Sequence, residues 1–426
     1  MNLYVWFGSS LAMLIALPIT AAEPQPDTEQ RLRTLEDRLD RVESQRPPAP
    51  NNDVAATPRV TSNAFNPAIS LILDGKYASF ARNPANYVLP GFALAAETGP
   101  GDEGLRIDES ELVMSANIDD KFYGQFTAAL TPEDEIEVEE AFVETLTLGH
   151  GATLRAGRFF SGIGYLNALH AHAWDFADQP LVYRALFGNQ YRDDGLQLRW
   201  LAPTDTYLEI GAELLRGENF PAGGATHSGK GAKTMFVRIG GDVGASHAWR
   251  VGLSGLNTDA EGRATGAVAA PDLYTGKSRV RGIDAVWKWA PNGNASMTNL
   301  KLQAEWFRRS ERGTFDPASS GTPLAYAGAQ RGWYAQAIYQ FMPRWRVGMR
   351  QDRLRADAVD AALAGTVLDG QAHTPRRASA MLDFANSEFS RVRLQYNRDE
   401  SRPNASDNQW YLQYVMSLGA HGAHAF

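Results

Sequence analysis

Three features of this 426-residue chain predict an all-β fold: a 16-stranded antiparallel transmembrane β-barrel preceded by a short N-terminal coiled-coil helix. From Ile69 onward, apolar and polar side chains alternate in segments of about ten residues. The connections between segments are alternately short and long, which is the pattern of tight turns at one end of a barrel and loops at the other. The polar faces carry many arginines, which a watery lumen tolerates and a dry core does not. Cysteine is absent, which excludes a disulfide framework, thiolate metal sites and a cysteine nucleophile. The net charge of −8 argues against a nucleic-acid partner held through phosphates.

Residues 1–22 (MNLYVWFGSSLAMLIALPITAA) form an apolar run ending in small residues, as in a signal peptide, with Thr20-Ala21-Ala22 as a candidate cleavage site. No Lys or Arg precedes the run, so an uncleaved membrane anchor is the alternative. Leu32, Leu35, Leu39 and Val42 then follow a 3-4-3 spacing, which predicts a short periplasmic coiled-coil helix over 27–46 ended by Pro47-Pro48. Two heptads do not hold a lone helix in water, so the seam implies self-association or a nascent helix on a tether. Residues 47–68 are a Pro/Asn/Ala-rich linker.

The barrel occupies 69–426. Strands are predicted at 69–80, 110–118, 121–130, 136–147, 152–158, 193–202, 206–216, 233–242, 247–257, 279–290, 297–309, 331–341, 344–355, 376–386, 389–399 and 408–418. In the last of these, Trp410, Leu412, Tyr414, Met416 and Leu418 share one face, and Gln409, Gln413 and Ser417 share the other. A closed barrel pairs every backbone group in lipid and leaves no edge. The apolar faces then meet lipid, and Trp200, Trp249, Trp287, Trp289, Trp345 and Trp410 fall near strand ends, where aromatic girdles form. An even strand count puts both ends of the barrel on the turn side, the periplasm.

A signal peptide, short coiled coil, Pro-rich linker and 16-stranded barrel together resemble bacterial outer-membrane porins of the phosphate-selective family. The segment Ala156-Gly157-Arg158-Phe159-Phe160 resembles that family's strand end before the third loop, and the strand Gln409 to Leu418 resembles its C-terminal strand. The resemblance implies a homotrimer with the third loop, here 159–192, folded into the lumen. Insertion by the outer-membrane assembly machinery is implied too, and the terminal Phe426 fits it. The family's lysine-rich anion sites have no counterpart: none of the seven lysines lies in the third loop, which leaves phosphate selectivity open.

On these strand phases the lumen holds Arg155, Arg199, Arg238, Arg250, Lys288, Lys301, Arg344, Arg346, Arg350, Arg391 and Arg393. Glu111, Glu209, Glu213, Asp284, Glu305, Asp352 and Asp383 oppose them. The cationic excess predicts an anion preference. Cross-strand pairing that merely solvates the lumen is the other reading of the same charges. Arg158, Tyr183, Arg184, Tyr191, Arg192, Asp193 and Asp194 are candidates for the constriction.

His170 and His172, with Asp175 and Asp178, form the one metal-like cluster, suited to zinc if to any ion. The bland reading is a loop packed on the wall through Trp174 and Phe176. No Gly-x-Ser-x-Gly, His-Glu-x-x-His or P-loop motif is present, so no enzyme and no obligatory cofactor are expected. The sequence thus predicts an outer-membrane porin passing small hydrophilic solutes, leaning to anions. A structural barrel anchor whose coiled coil tethers the cell wall is one alternative, and a zinc-linked uptake channel is another.

Overall fold

The computed structural model describes residues 67–96, 98–223, 231–319 and 321–419. The segments expected to be a signal peptide and a coiled coil, and nearly all of the expected linker, lie outside the described residues. Seventeen strands form a single antiparallel sheet that closes on itself. They are β1 (Ala68–Phe80), β2 (Gly104–Ile107), β3 (Ser110–Asn117), β4 (Phe122–Leu130), β5 (Ile136–Thr145), β6 (Ala152–Phe160), β7 (Arg192–Leu201), β8 (Tyr207–Leu215) and β9 (Ala232–Val243). There follow β10 (His247–Thr265), β11 (Asp272–Trp289), β12 (Asn299–Asp316), β13 (Leu324–Met342), β14 (Trp345–Ala356), β15 (Arg376–Ser387), β16 (Ser390–Glu400) and β17 (Asp407–Gly419). β2 and β3 both lie against β1, one opposite Gly75–Ala78 and the other opposite Ala68–Ile72, so they are two pieces of one stave. The barrel therefore has sixteen staves, and β1 pairs with β17 to close it.

The alternation positions the two faces as expected. Along β17, Trp410, Leu412 and Tyr414 are exposed while Gln409, Tyr411 and Gln413 are buried. Leu196, Leu198, Val251, Leu253, Leu302, Leu394 and their neighbours form an apolar outer surface. Glu111, Glu305, Asp352, Arg377 and Arg393 lie inside. A protein dissolved in water would have this the other way round, whereas lipid outside and polar groups within account for it. Aromatic pairs mark the two borders: Trp345 with Phe384 at the turn end, 4.7 Å between ring centres, and Tyr396 with Trp410 at the loop end, 4.8 Å. Among the described residues no helix is long and apolar enough to cross a membrane.

The strands depart from expectation in two places. Residues 104–107 are a strand where a loop was expected, because four residues before the break at Asp108-Glu109 are too few to show alternation. β10 to β13 continue well past the expected borders, leaving only 266–271 and 317–323 as loops. Above the membrane the outer face of a strand meets water, so Arg308, Ser310, Arg312 and Thr314 of β12 point outward and the apolar period disappears.

Candidate functional site

The lumen is shaped by loop 3 (161–191), which turns inward. It contains a seven-residue helix, α1 (Leu181–Phe187), every residue of which is buried. Leu181, Val182, Tyr183, Leu186 and Phe187 pack against Leu256, Val280, Phe307, Tyr334 and Leu354, apolar side chains that point inward from β10 to β14. Here the wall abandons its polar lining, and that is what receives the helix. Burying this much apolar area against the wall is the main force holding the loop inside.

Wall carboxylates satisfy backbone and hydroxyl groups of the buried loop. Glu305 accepts from the Tyr165 N–H (2.8 Å), the Leu166 N–H (3.0 Å) and the Tyr183 hydroxyl (2.9 Å). Glu213 accepts from Ser161 Oγ (2.5 Å) and the Gly162 N–H (2.7 Å), and Asp352 from the Leu181 N–H (2.8 Å). Gly164, at φ +70°, passes so close to the wall that a Cβ would sit 2.4 Å from Glu305 Oε2. In return the loop offers Asp178 to the wall. Its carboxylate accepts from Arg350 (2.7 Å), Arg377 (2.6 Å), Arg184 (3.2 Å), Gln395 (2.7 Å) and Asn397 (3.1 Å). Burial pushes the Asp178 carboxyl up, but Arg377, Arg350 and Arg184 outweigh it and hold it well below the usual range. Asp175 is held low in the same way, with Lys301 and Arg346 overcoming its burial.

The expected lining residues separate into groups. Arg155 and Arg199 face inward and share Glu144 (2.8 and 2.6 Å). Arg250 lies over the Tyr165 ring at 4.5 Å and 3.6 Å from Asp284. Arg346, Arg391 and Arg393 gather around Asp383. Arg391 and Arg393 also donate to the His172 and Trp174 carbonyls, so they clamp loop 3 as well as line the wall. Arg184, which α1 itself carries, is fully buried. Arg192 stands at the loop-side rim beside Glu137 and Glu139. Asp193 is buried and takes the Gly217 and Glu218 N–H groups, an anchor for the adjoining loop. Two placements differ from expectation. Arg158 pairs with Asp194 (2.7 Å) on the face shared with exposed Leu196 and Leu198, outside the lumen. Arg344 is exposed in the turn between β13 and β14, at φ +71°, because the chain reverses there and the strand phase does not reach it.

The expected metal set is divided. His170 and His172 stack 5.7 Å apart, but Asp175 faces Lys301 (2.7 Å) and Arg346 instead. The histidines meet Glu111, Glu139 and Glu140. Burial opposes a charge on His170, but Glu111, Glu139 and Glu140 overcome it and raise its pKa well above the ordinary imidazole value. The sequence reading placed Glu111 in the lumen but missed Glu139 and Glu140, whose adjacency in a strand was the one available signal.

Two spaces remain open inside, on the turn side of the loop. One, of about 510 Å³, is bounded by Lys288, Lys301, Arg346, Asp175 and Asp242. The other, of about 440 Å³, is bounded by Arg199, Arg238, Arg250, Glu209 and Asp242. On the loop side a narrower polar cavity of about 200 Å³ runs between loop 3 and the opposite wall, past Lys76, Arg106, Asp108, Glu137 and Arg184. Above the lumen, Leu89 and Phe92 of the first loop reach down to the α1 core. Ala93 of that loop packs with Leu363 and Leu368 of the 357–375 loop against Tyr274, Phe315 and Tyr326.

A closed sixteen-stave barrel, apolar outside and charged within, its third long loop folded into the lumen, has the fold of outer-membrane porins. OmpT of Vibrio cholerae superposes with a TM-score of 0.51 at 10% identity, over 85% of this chain and 100% of that one. OprB of Pseudomonas putida does so at 0.50 and 13% identity, over 83% and 94%. No family model matches. An uncharacterized protein of Aquifex aeolicus (strain VF5) is 30% identical over 406 residues, covering 86% of this chain and 81% of that one, and the chain belongs to the same family.

Proposed function

We propose that this protein is an outer-membrane porin that passes small hydrophilic solutes by diffusion and prefers anions; it is a channel, not an enzyme. The observation that carries the reading is the lining of the turn-side spaces. Six cations (Arg199, Arg238, Arg250, Lys288, Lys301, Arg346) bound them, against Asp175, Glu209 and Asp242. A cationic excess at low-dielectric walls concentrates anions and repels cations. Loops at the cell exterior and the N-terminal segment in the periplasm fit the strand count. A homotrimer is the assembly we favour. The similar OmpT structure was described in a trimer form.

The test is planar-bilayer recording of the purified protein across a salt gradient, with chloride and then phosphate. Stepwise conductance in threes and a reversal potential on the anion side are expected. The dry packing of the first, third and 357–375 loops supports a second reading, a loop-sealed barrel that serves as an anchor. A folded, inserted barrel without conductance steps would favour it.

A further inference from the structure

We propose that the loop-side lumen carries a binding site for one zinc-class divalent cation, held by His170, Glu111 and Glu139. The backbone itself is adapted to it. Opposite β4, Thr127 pairs with Glu140 and Ala128 with Val138, so Glu139 is the extra residue of a β-bulge. The bulge turns two successive glutamates, Glu139 and Glu140, into the interior, where regular alternation would send one of them outward. Glu111 of β3, two strands away on the same side of the lumen, is 0% exposed. His170 Nδ1 lies 3.1 Å from Glu139 Oε2 and 3.1 Å from Glu111 Oε2. Donors about 2.0–2.2 Å from a tetrahedral zinc sit about 3.3–3.6 Å from one another, so small adjustments admit the ion.

One further observation points to a cation. Glu111 Oε2 is buried and accepts no well-directed hydrogen bond; it lies 3.1 Å from His170 Nδ1, the nitrogen that Glu139 Oε2 already engages. Two buried carboxylate oxygens that share one donor gain from a cation placed between them. Three carboxylates, Glu111, Glu139 and Glu140, converge on the two imidazoles, and Arg192 lies 3.6 Å from Glu139 Oε1. His172 Nδ1, 2.6 Å from Glu111 Oε1, orients that carboxylate from behind, as outer partners of metal ligands do. Imidazole with two carboxylates selects zinc-like ions over magnesium or calcium.

Isothermal titration of the full barrel in detergent with zinc chloride tests the site and does not depend on conduction. One saturable zinc per chain is expected, with no comparable response to magnesium. Glu111→Gln, Glu139→Gln and His170→Gln should each weaken it by about tenfold or more, while His150→Ala, in an exposed turn, should not. Heat-modifiable migration on gels identifies the variants that still fold, and the glutamine replacements keep the shape of the carboxylates. No saturable zinc, or equal affinity in all folded variants, overturns the proposal.

A separate observation on the outer face carries a second inference, which rests on the outer-membrane reading. The geometry points to an arginine belt that binds the phosphorylated headgroups of lipids in the loop-side leaflet. Arg281, Arg308, Arg331 and Arg355 stand directly opposite one another along β11 to β14, and Arg353 stands opposite Arg376. They sit just above the Trp306–Trp333 pair, where the apolar surface ends. Like charges directly opposed across strands destabilise a sheet unless anions come between them; Asp357 serves Arg331 and Glu400 serves Arg376, which leaves Arg281, Arg308, Arg353 and Arg355 without a carboxylate within ion-pair distance among the described residues. Below them an apolar groove of about 960 Å³, floored by alanines of β11 to β15, accommodates acyl chains. Barrels reconstituted with a bisphosphorylated glycolipid and repurified should retain it, and Arg308→Gln/Arg331→Gln/Arg353→Gln should retain about tenfold less. Unchanged retention in an inserted variant overturns the belt alone; failure of the natural barrel to insert overturns the outer-membrane reading with it.

Discussion

Replacing Asp178 with alanine is expected to release loop 3 from the barrel wall while leaving the barrel closed. Asp178 is the meeting point of Arg184, Arg350 and Arg377, all three buried. Without it three guanidiniums stay in a dry region, with Asp352 against Arg350 and Arg377 and the more distant Asp399 facing Arg377 and Arg184. Removing one partner of a buried ion network costs about 3–5 kcal/mol, more than the exchange of a surface pair by several-fold. Little of that cost falls on the sheet, whose ladders do not use this residue. The loop bears it instead. Limited proteolysis should then cut within 161–191 in the variant and spare the natural protein, and single channels should become larger and noisier. A variant with an uncut loop and unaltered channel noise would show that apolar packing of α1 alone seats the loop.

The same carboxylate fixes how the seat responds to acid. Its folded pKa is depressed by the three arginines, so the stabilisation is fully present above the ordinary aspartate value. It is lost only as the pH falls through the lower folded value. Conductance between pH 7 and pH 4 should therefore show no loop-opening transition assignable to Asp178. A gating transition within that window that disappears in Asp178→Asn would contradict the arrangement.

Much of this architecture was legible in the sequence, for a physical reason. A stave with lipid on one side and water on the other must alternate, so all sixteen staves announced themselves, as did the inward direction of Glu111, Glu305, Asp352 and Arg393. The signal failed where one of the two solvents was missing. In β10 to β13 above the membrane both faces are polar or mixed, and the extensions looked like loops. Arg344 was assigned by continuing a phase through a turn, where no phase exists. The bulge at Glu139 reverses the phase within a strand and conceals a carboxylate that strict alternation sends outward. Loop 3 was the hardest segment, because its partners are wall residues about 50 to 220 positions away along the chain. Asp178 reads as one more acidic loop residue until Arg350 and Arg377 are brought to it. His170 and His172 were recognised as a pair, but the carboxylates they meet are Glu111 and Glu139 because β3 and β5 stand on that side of the lumen, whereas Asp175 turns toward Lys301.

Arg346→Ala should lower the anion-to-cation permeability ratio by about threefold, and Arg344→Ala should leave it unchanged. The two residues are near neighbours in sequence, but Arg346 borders the 510 Å³ turn-side space and Arg344 is exposed in the turn. Removing Arg346 takes a cation from between Asp175 and Asp383. Both carboxylates retain other partners, Lys301 at 2.7 Å for the first and Arg393 at 3.3 Å for the second, so the wall stays intact and the change is in the field. That field acts within a Debye length, about 10 Å at 0.1 M salt and about 3 Å at 1 M. The shift in reversal potential should therefore be large at low salt and small at high salt, which separates a field effect from a change of pore width. Equal shifts from both substitutions would mean that the turn side controls entry as a whole. No shift from Arg346→Ala would remove the basic turn-side space from the permeation path.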